Sequence, residues 1–225
     1  EKNILVSGGT SSGKTTLLNV LSSFIPPTER IVVIEDSSEL EIQQDHVVSL
    51  ESRPADRWDR GEITISDLFK SSLRLRPDRI IIGETRGGEA LDMIQAMTSG
   101  HAGSMSTLHA DTALDTLNRV ETLAMMNPIE MPLHALRNQV ASAIDVVVQV
   151  SRFNDGRRGL TQISEVMPLS DEGRYAVQDV FSLVFDDEGG RTLEFTGTRS
   201  RFAGEPKVRA LAGLRVLSKD IFASE

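Results

Sequence analysis

The chain has 225 residues, 39% of them hydrophobic, which is enough for one large α/β domain or one domain with a small appendage. It carries 33 acidic against 24 basic residues, a net charge of −9 that argues against broad attraction to nucleic acid or anionic lipid, so no strong nucleic-acid binding is expected. It has no cysteine, which excludes a disulfide framework and any thiolate metal site, and no apolar run approaches the ~20 residues of a membrane-spanning helix.

In chain order, Asn3–Ser7 reads as a short buried strand, and Lys14–Leu21 has the apolar spacing of a helix that ends before Pro26-Pro27. Between them Gly8, Gly9, Thr10, Ser11, Ser12, Gly13, Lys14 and Thr15 fit the pattern G-x-x-x-x-G-K-[ST], with Thr16 continuing into the helix. The backbone N–H groups of such a loop point into one concavity, and the helix dipole adds partial positive charge at the same point, so phosphate is the natural guest. Lys14 is expected to reach the β- and γ-phosphates of ATP, and the Thr15 hydroxyl to join the coordination of a bridging Mg²⁺ ion. Strand-like runs at Ile31–Ile34, Val47–Leu50 and Arg79–Ile82 then alternate with helix-like segments, the pattern of a mainly parallel sheet with helices on its faces. Ligand crevices in such sheets lie beyond the carboxyl ends of the strands, where Glu35-Asp36 and Glu84 should converge.

The run Arg79–Ile82 ends in Gly83-Glu84, so glycine stands where a phosphate-loop ATPase usually carries its magnesium aspartate. Glu84 is therefore assigned to the magnesium and its water shell, and Glu35 to orienting or deprotonating the attacking water. A helix is expected over about Thr64–Arg76, with Leu68, Ser72 and Leu75 on one stripe and Pro77 stopping it, and a second over Gly88–Ser99. His109 ends a glycine-led strand on the same edge. Its imidazole N–H suits a γ-phosphate sensor, against the ordinary alternative of a structural histidine. Asp111 is expected to cap a third helix carrying Ala113, Leu117, Val120 and Ala124, and Pro132 to open a fourth with Leu133, Leu136 and Val140. Arg53, Arg74 and Arg86 stand near the acidic positions, and one or two such arginines fit the part of a finger across a subunit boundary, whereas Arg57, Arg60 and Arg76 fit surface ion pairing. After about residue 145 the texture changes: hairpins are expected around Asn154–Arg157 and Asp186–Gly190, and a short helix over Glu205–Leu217.

These segments, in this order, resemble the secretion superfamily of hexameric ATPases of type II and type IV secretion, pilus assembly and conjugation. Residues 8–16 resemble its Walker A motif, and Ile34-Glu35-Asp36 through Arg53-Pro54 its Asp box. Leu75–Ala90, with the glycine before Glu84 that marks the family, resembles its atypical Walker B, and Ser106–Ala110 its His box. The segments from Ile144-Asp145, at Gln178–Phe181 and at Thr196–Phe202 are most similar to the tight-adherence (Flp) pilus branch, the CpaF/TadA-type ATPases, with the conjugation branch a close second.

The resemblance implies a RecA-like P-loop core over residues 1–150, a C-terminal β-hairpin-rich and helical extension of the same motor domain over 151–225, and ATP hydrolysis with Mg²⁺. It also implies a homo-hexamer, a γ-phosphate-sensing role for His109, phosphate-proximal arginines at Arg53, Arg74 and Arg86, and inner-membrane platform proteins as partners. Through these partners the protein would sit at the inner face of the cytoplasmic membrane. The chain opens on Glu1-Lys2, one strand before the phosphate loop, so the N-terminal domain of the full-length protein is expected to be missing. Rival readings are a non-hydrolysing nucleotide-binding scaffold and a DNA-transfer motor.

Overall fold

The computed structural model describes residues 1–186 and 189–204. A single nine-stranded sheet organises them, in the spatial order β3-β2-β4-β5-β1-β6-β7-β8-β9. The strands are β1 (Ile4–Gly8), β2 (Ile31–Glu35), β3 (Val47–Glu51), β4 (Arg79–Ile82), β5 (Met105–Leu108), β6 (Val146–Arg152), β7 (Arg158–Met167), β8 (Ala176–Phe185) and β9 (Arg191–Phe195). From β3 across to β6 every neighbouring pair is parallel, and from β6 to β9 every pair is antiparallel. The expected mainly parallel sheet is thus present. Both expected hairpins are also found, joining β6 to β7 and β8 to β9. The boundary expected at residue 150 falls inside β6, and the sheet runs across it without a break. The helix expected over Glu205–Leu217 lies outside the described residues.

Every residue of β2, β4 and β5 is buried, as β-branched runs are when both faces of a parallel sheet are covered. Alternate side chains serve two cores. Ile31, Val33 and Ile81 pack with Leu18 of α1 (Lys14–Ser22), and Val32, Ile34, Ile80 and Ile82 pack on the other face. That second face is covered by α2 (Ile65–Ser72), α3 (Glu89–Thr98), α4 (Ala113–Ala124) and α5 (Leu133–Ala143). Each fully buried aliphatic side chain contributes about 1.5–3 kcal/mol, so these two layers fix the strand ends that carry the site.

Helix boundaries differ from expectation in two places. Thr112, not Asp111, is the N-cap of α4: its side chain accepts from the Asp115 amide at 3.0 Å, because it is the residue directly before the first helical turn. The helix opened by a Thr64–Asp67 capping box ends at Ser72, and the chain continues as a 3₁₀ turn, Leu73–Leu75, before Arg76 takes a left-handed φ of 54° ahead of Pro77. Its buried stripe is Ile65, Phe69 and Ser72, with Leu68 and Leu75 half-buried beside it.

Buried Asn3 holds the sheet's centre in register. Its amide donates to the Ala143 carbonyl at 2.6 Å, and its oxygen accepts from the amides of Gly103 (2.8 Å) and Ser104 (3.1 Å). One satisfied polar side chain therefore ties the start of β1 to the chain entering β5 and the chain entering β6.

Candidate nucleotide site

The loop between β1 and α1 is bent by two left-handed residues, Ser11 (φ 57°) and Gly13 (φ 101°). Gly13 is the N-cap of α1 and no side chain caps the helix there, so its leading N–H groups face outward. Ser12 is 3% exposed, and its hydroxyl has no hydrogen-bond partner among the described residues. An uncapped helix end, a φ that favours glycine and an orphaned buried hydroxyl together fit a bound phosphate.

The Lys14 ammonium donates to the carbonyl oxygens of Gly8 and Gly9, both at 3.0 Å, and lies 3.4 Å from His109 Nδ1. His109 Nε2 is 3.2 Å from Glu84 Oε1. A hydrogen on Nε2 lets the ring donate to Glu84 while Nδ1 accepts from Lys14. Glu84 Oε2 in turn accepts from Arg86 Nη2 at 2.8 Å, and Arg86 Nη1 lies 3.5 Å from Asp36 Oδ2. The chain of groups Lys14, His109, Glu84, Arg86 and Asp36 thus joins the phosphate loop to the tips of β5, β4 and β2.

Two short polar contacts hold these tips together. Thr107 Oγ1 donates to the Gly83 carbonyl at 2.7 Å, and the hydroxyls of Thr85 and Ser106 lie 2.7 Å apart in the interior. Burial lowers the pKa of Lys14, against the pull of Glu84, which raises it. The hydrogen bond from Arg86 holds Glu84 below the ordinary carboxylate range, against a smaller desolvation effect, and Glu84 pushes Arg86 upward. Glu84 is therefore an ionised carboxylate beside a partly desolvated ammonium.

Glu35 sits differently. It is 5% exposed, and its Oε1 accepts from the backbone amides of Glu39 (3.1 Å) and Leu40 (3.0 Å), so it braces the turn after β2. The glycine at 83 follows from this: a Cβ there would lie 2.9 Å from Glu35 Cγ. Thr15, Glu35, Asp36, Gly83, Glu84 and Arg86 line a small cleft of about 110 Å³. Thr15 Oγ1 donates to Glu39 Oε2 at 3.4 Å. Among the described residues no three His, Asp or Glu side chains converge as a metal cage. Mg²⁺ needs only one or two protein ligands when phosphate oxygens complete its shell, and the Thr15 hydroxyl with the neighbouring carboxylates fits that requirement.

Arg86 joins the cluster, but the other two arginines do not. Arg53 follows β3 and donates from Nε to the Gly61 carbonyl at 2.8 Å, in a neighbouring cleft that it shares with Asp36 and Arg86. Arg74 is exposed on the 3₁₀ turn leading to the start of β4, the sheet edge opposite the phosphate loop. Sequence reasoning missed Glu39 and Arg158, which line the cleft of about 380 Å³ over Thr10–Thr16, Glu84 and His109. Glu39 had a local signal in its spacing from Glu35. Arg158 had none, being brought in by sheet topology.

The model of the type II/IV secretion system protein family matches residues 1–210. The chain belongs to this family. It is 45% identical over 155 residues to the type IV secretion system protein PtlH of Bordetella pertussis, covering 67% of this chain and 45% of PtlH. It is 38% identical over 159 residues to the conjugal transfer protein TrbB of Rhizobium radiobacter, covering 69% of this chain and 46% of TrbB. The crystal structure of the VirB11 ATPase of the Brucella suis type IV secretion system, in complex with sulphate, superposes with a TM-score of 0.65 at 33% identity, over 72% of this chain and 49% of VirB11. The fold of this secretion-family chain is the RecA-like P-loop fold of the VirB11 ATPase. The chain spans about half the length of the curated relatives it matches. No helix among the described residues is long and apolar enough to cross a membrane.

Proposed function

We propose that this chain is the motor portion of an ATPase that hydrolyses ATP with Mg²⁺ and, in a homo-hexamer, drives a secretion or pilus machine through inner-membrane platform proteins. The observation that carries the reading is the contact chain from Lys14 through His109 and Glu84 to Arg86, beside an uncapped helix end. The amides of Gly9–Thr16 cradle the phosphates, and Lys14 exchanges its carbonyl partners for phosphate oxygens. Thr15 with a nearby carboxylate would hold Mg²⁺, which when bound would neutralise charge on the terminal phosphates. Glu84 takes the water-orienting role expected of Glu35, because it opens onto the phosphate cleft while Glu35 is tied to two backbone amides. Glu35 then holds the turn that places Glu39 and Asp36. His109 lies between Lys14 and Glu84 and reports the terminal phosphate to the N-terminal end of α4 four residues on. Arg53 and Arg74 are left for contacts across a subunit boundary.

On the segments from 144 onward, at 178–181 and at 196–202 we assign the machine to the tight-adherence pilus branch, with residues 151–225 as an extension of the motor domain. A DNA-transfer motor is the second reading, because TrbB is named a conjugal transfer protein. A salt-dependent DNA titration of the full-length protein decides between them, and submicromolar affinity would favour DNA transfer. The ATPase reading is tested by phosphate release from full-length protein. Glu84→Gln should lose about 10²-fold in kcat while ATP affinity is retained. Undiminished turnover in that variant refutes the assignment, and a wild-type protein that binds ATP without releasing phosphate makes the chain a scaffold.

A further inference from the structure

The side of the phosphate loop away from Glu84 and His109 is formed by the β6–β7 hairpin. Its turn is well determined: Phe153 N–H donates to the Arg157 carbonyl at 2.8 Å, the Arg157 amide donates to Asp155 at 3.0 Å, and Gly156 takes a φ of 82°. Arg191 of β9 clamps it from the flank, pairing with Asp155 at 2.8 Å and stacking on Phe153 at 4.1 Å from the ring centre. The register of β6 against β7 shifts between Gln149 and Val150, just before the hairpin. Arg158, the first residue of β7, then reaches the phosphate loop, where its Cδ lies 3.6 Å from the position a Cβ on Gly13 would take.

Its neighbours are engaged and it is not. Arg157 and Arg191 both pair with Asp155, whereas the Arg158 guanidinium has no hydrogen-bond or ion-pair partner among the described residues. It lines the cleft above Thr10–Thr16. Arg158 is exposed, but the hairpin that carries it is braced, and an unpaired guanidinium beside an uncapped helix end has the chemistry of a phosphate clamp.

We infer that Arg158 binds the α- and β-phosphates of the nucleotide. This rests on the ATPase reading above and deepens it. The strand order decides which phosphates are meant. Glu84 and His109 come from β4 and β5 on one side of β1, and Arg158 comes through β6 and β7 on the other. The terminal phosphoryl group faces Lys14, His109 and Glu84, so the opposite flank receives the part of the chain nearer the nucleoside, which ATP and ADP share.

The test is calorimetric titration of Mg-ATP and Mg-ADP into full-length wild-type, Arg158→Ala, Arg158→Gln and Arg158→Lys proteins, with steady-state hydrolysis alongside. Losing one charge-assisted clamp should weaken ATP and ADP alike by about tenfold in the Ala and Gln variants. The Lys variant should recover part of the loss, and the KM for ATP should rise in step with the weakened binding. The Gln variant decides if the Ala variant does not fold. Unchanged affinities, an unchanged KM, or a loss confined to ATP each overturn the inference. A wild-type protein that binds neither nucleotide overturns the ATPase reading as well, whereas wild-type binding matched by both neutral variants sinks the Arg158 assignment alone.

Discussion

The two halves of the sheet are built on different principles. In the parallel half β2, β4 and β5 are buried at every residue between two helical layers, and their carboxyl ends deliver Asp36, Glu84 and His109 to one edge. In the antiparallel half β8 buries only Val180 among its ten residues, β9 buries none, and α4 packs on β6 and β8. The parallel half needs crossovers, which bring helix ends and strand tips to the same rim; the meander needs only turns, which place single side chains wherever a hairpin points. The candidate site residues accordingly collect on the first half, and the second brings one arginine, Arg158, to the same cleft from a hairpin base.

The sharpest way to break this comparison is at the phosphate loop. On the proposed ATPase reading, Lys14→Ala removes the ammonium assigned to the terminal phosphate and should cut hydrolysis by about 10³-fold, measured as phosphate release. Retained turnover would move the active centre away from the parallel half. Stability should divide along the same line. Ile81→Ala deletes a fully buried side chain at the sheet's centre and should cost about 3–4 kcal/mol in urea unfolding, against about 1–2 kcal/mol for Val180→Ala in the meander. Equal losses would mean that the meander is as tightly packed as the parallel core.

Smaller substitutions sharpen the account of the site. Gly83→Ala should press on Glu35, loosen its bonds to Glu39 and Leu40, and cost about 1–2 kcal/mol. The double variant Gly83→Ala with Glu35→Ala should recover much of that cost if the clash is its cause. The least effect is expected from acid. The pKa of Glu84 is depressed by Arg86, so its contribution is present above the ordinary value of 4.5 and is lost only as pH falls through the lowered one. Arg86→Ala removes the leading cause, and circular dichroism should then show acid unfolding beginning at a higher pH than in wild type. An unshifted acid limb would place no weight on the Glu84–Arg86 pair.

Much of the site was legible because its parts are local. A glycine loop between a β-branched run and a helical stripe can be recognised from spacing alone, since strand, turn and helix each constrain residues next to one another. Glu84 was singled out for the same reason, following the run Ile80–Ile82 and Gly83, whereas His109 ends a run of mixed character and was singled out chiefly by the resemblance of Ser106–Ala110 to the His box. Glu35 shows where such reasoning stops: its place at a strand end was plain, but that its Oε1 accepts from the amides of Glu39 and Leu40 depended on the turn that folds back onto it. Arg74 stood close in sequence to Glu84 and far from it in space, because α2 and its 3₁₀ extension carry the chain to the opposite sheet edge.

By itself the sequence determined the phosphate loop, the alternation of buried strands with amphipathic helices and the hairpin turns, because these depend on residues within a few positions of one another. Only the tertiary structure decided that Lys14, His109, Glu84 and Arg86 form one contact chain, that Gly83 makes room for Glu35, and that Arg158 faces Gly13. Those relations join residues up to 145 positions apart (13 to 158), and strand order, which no local pattern encodes, sets them.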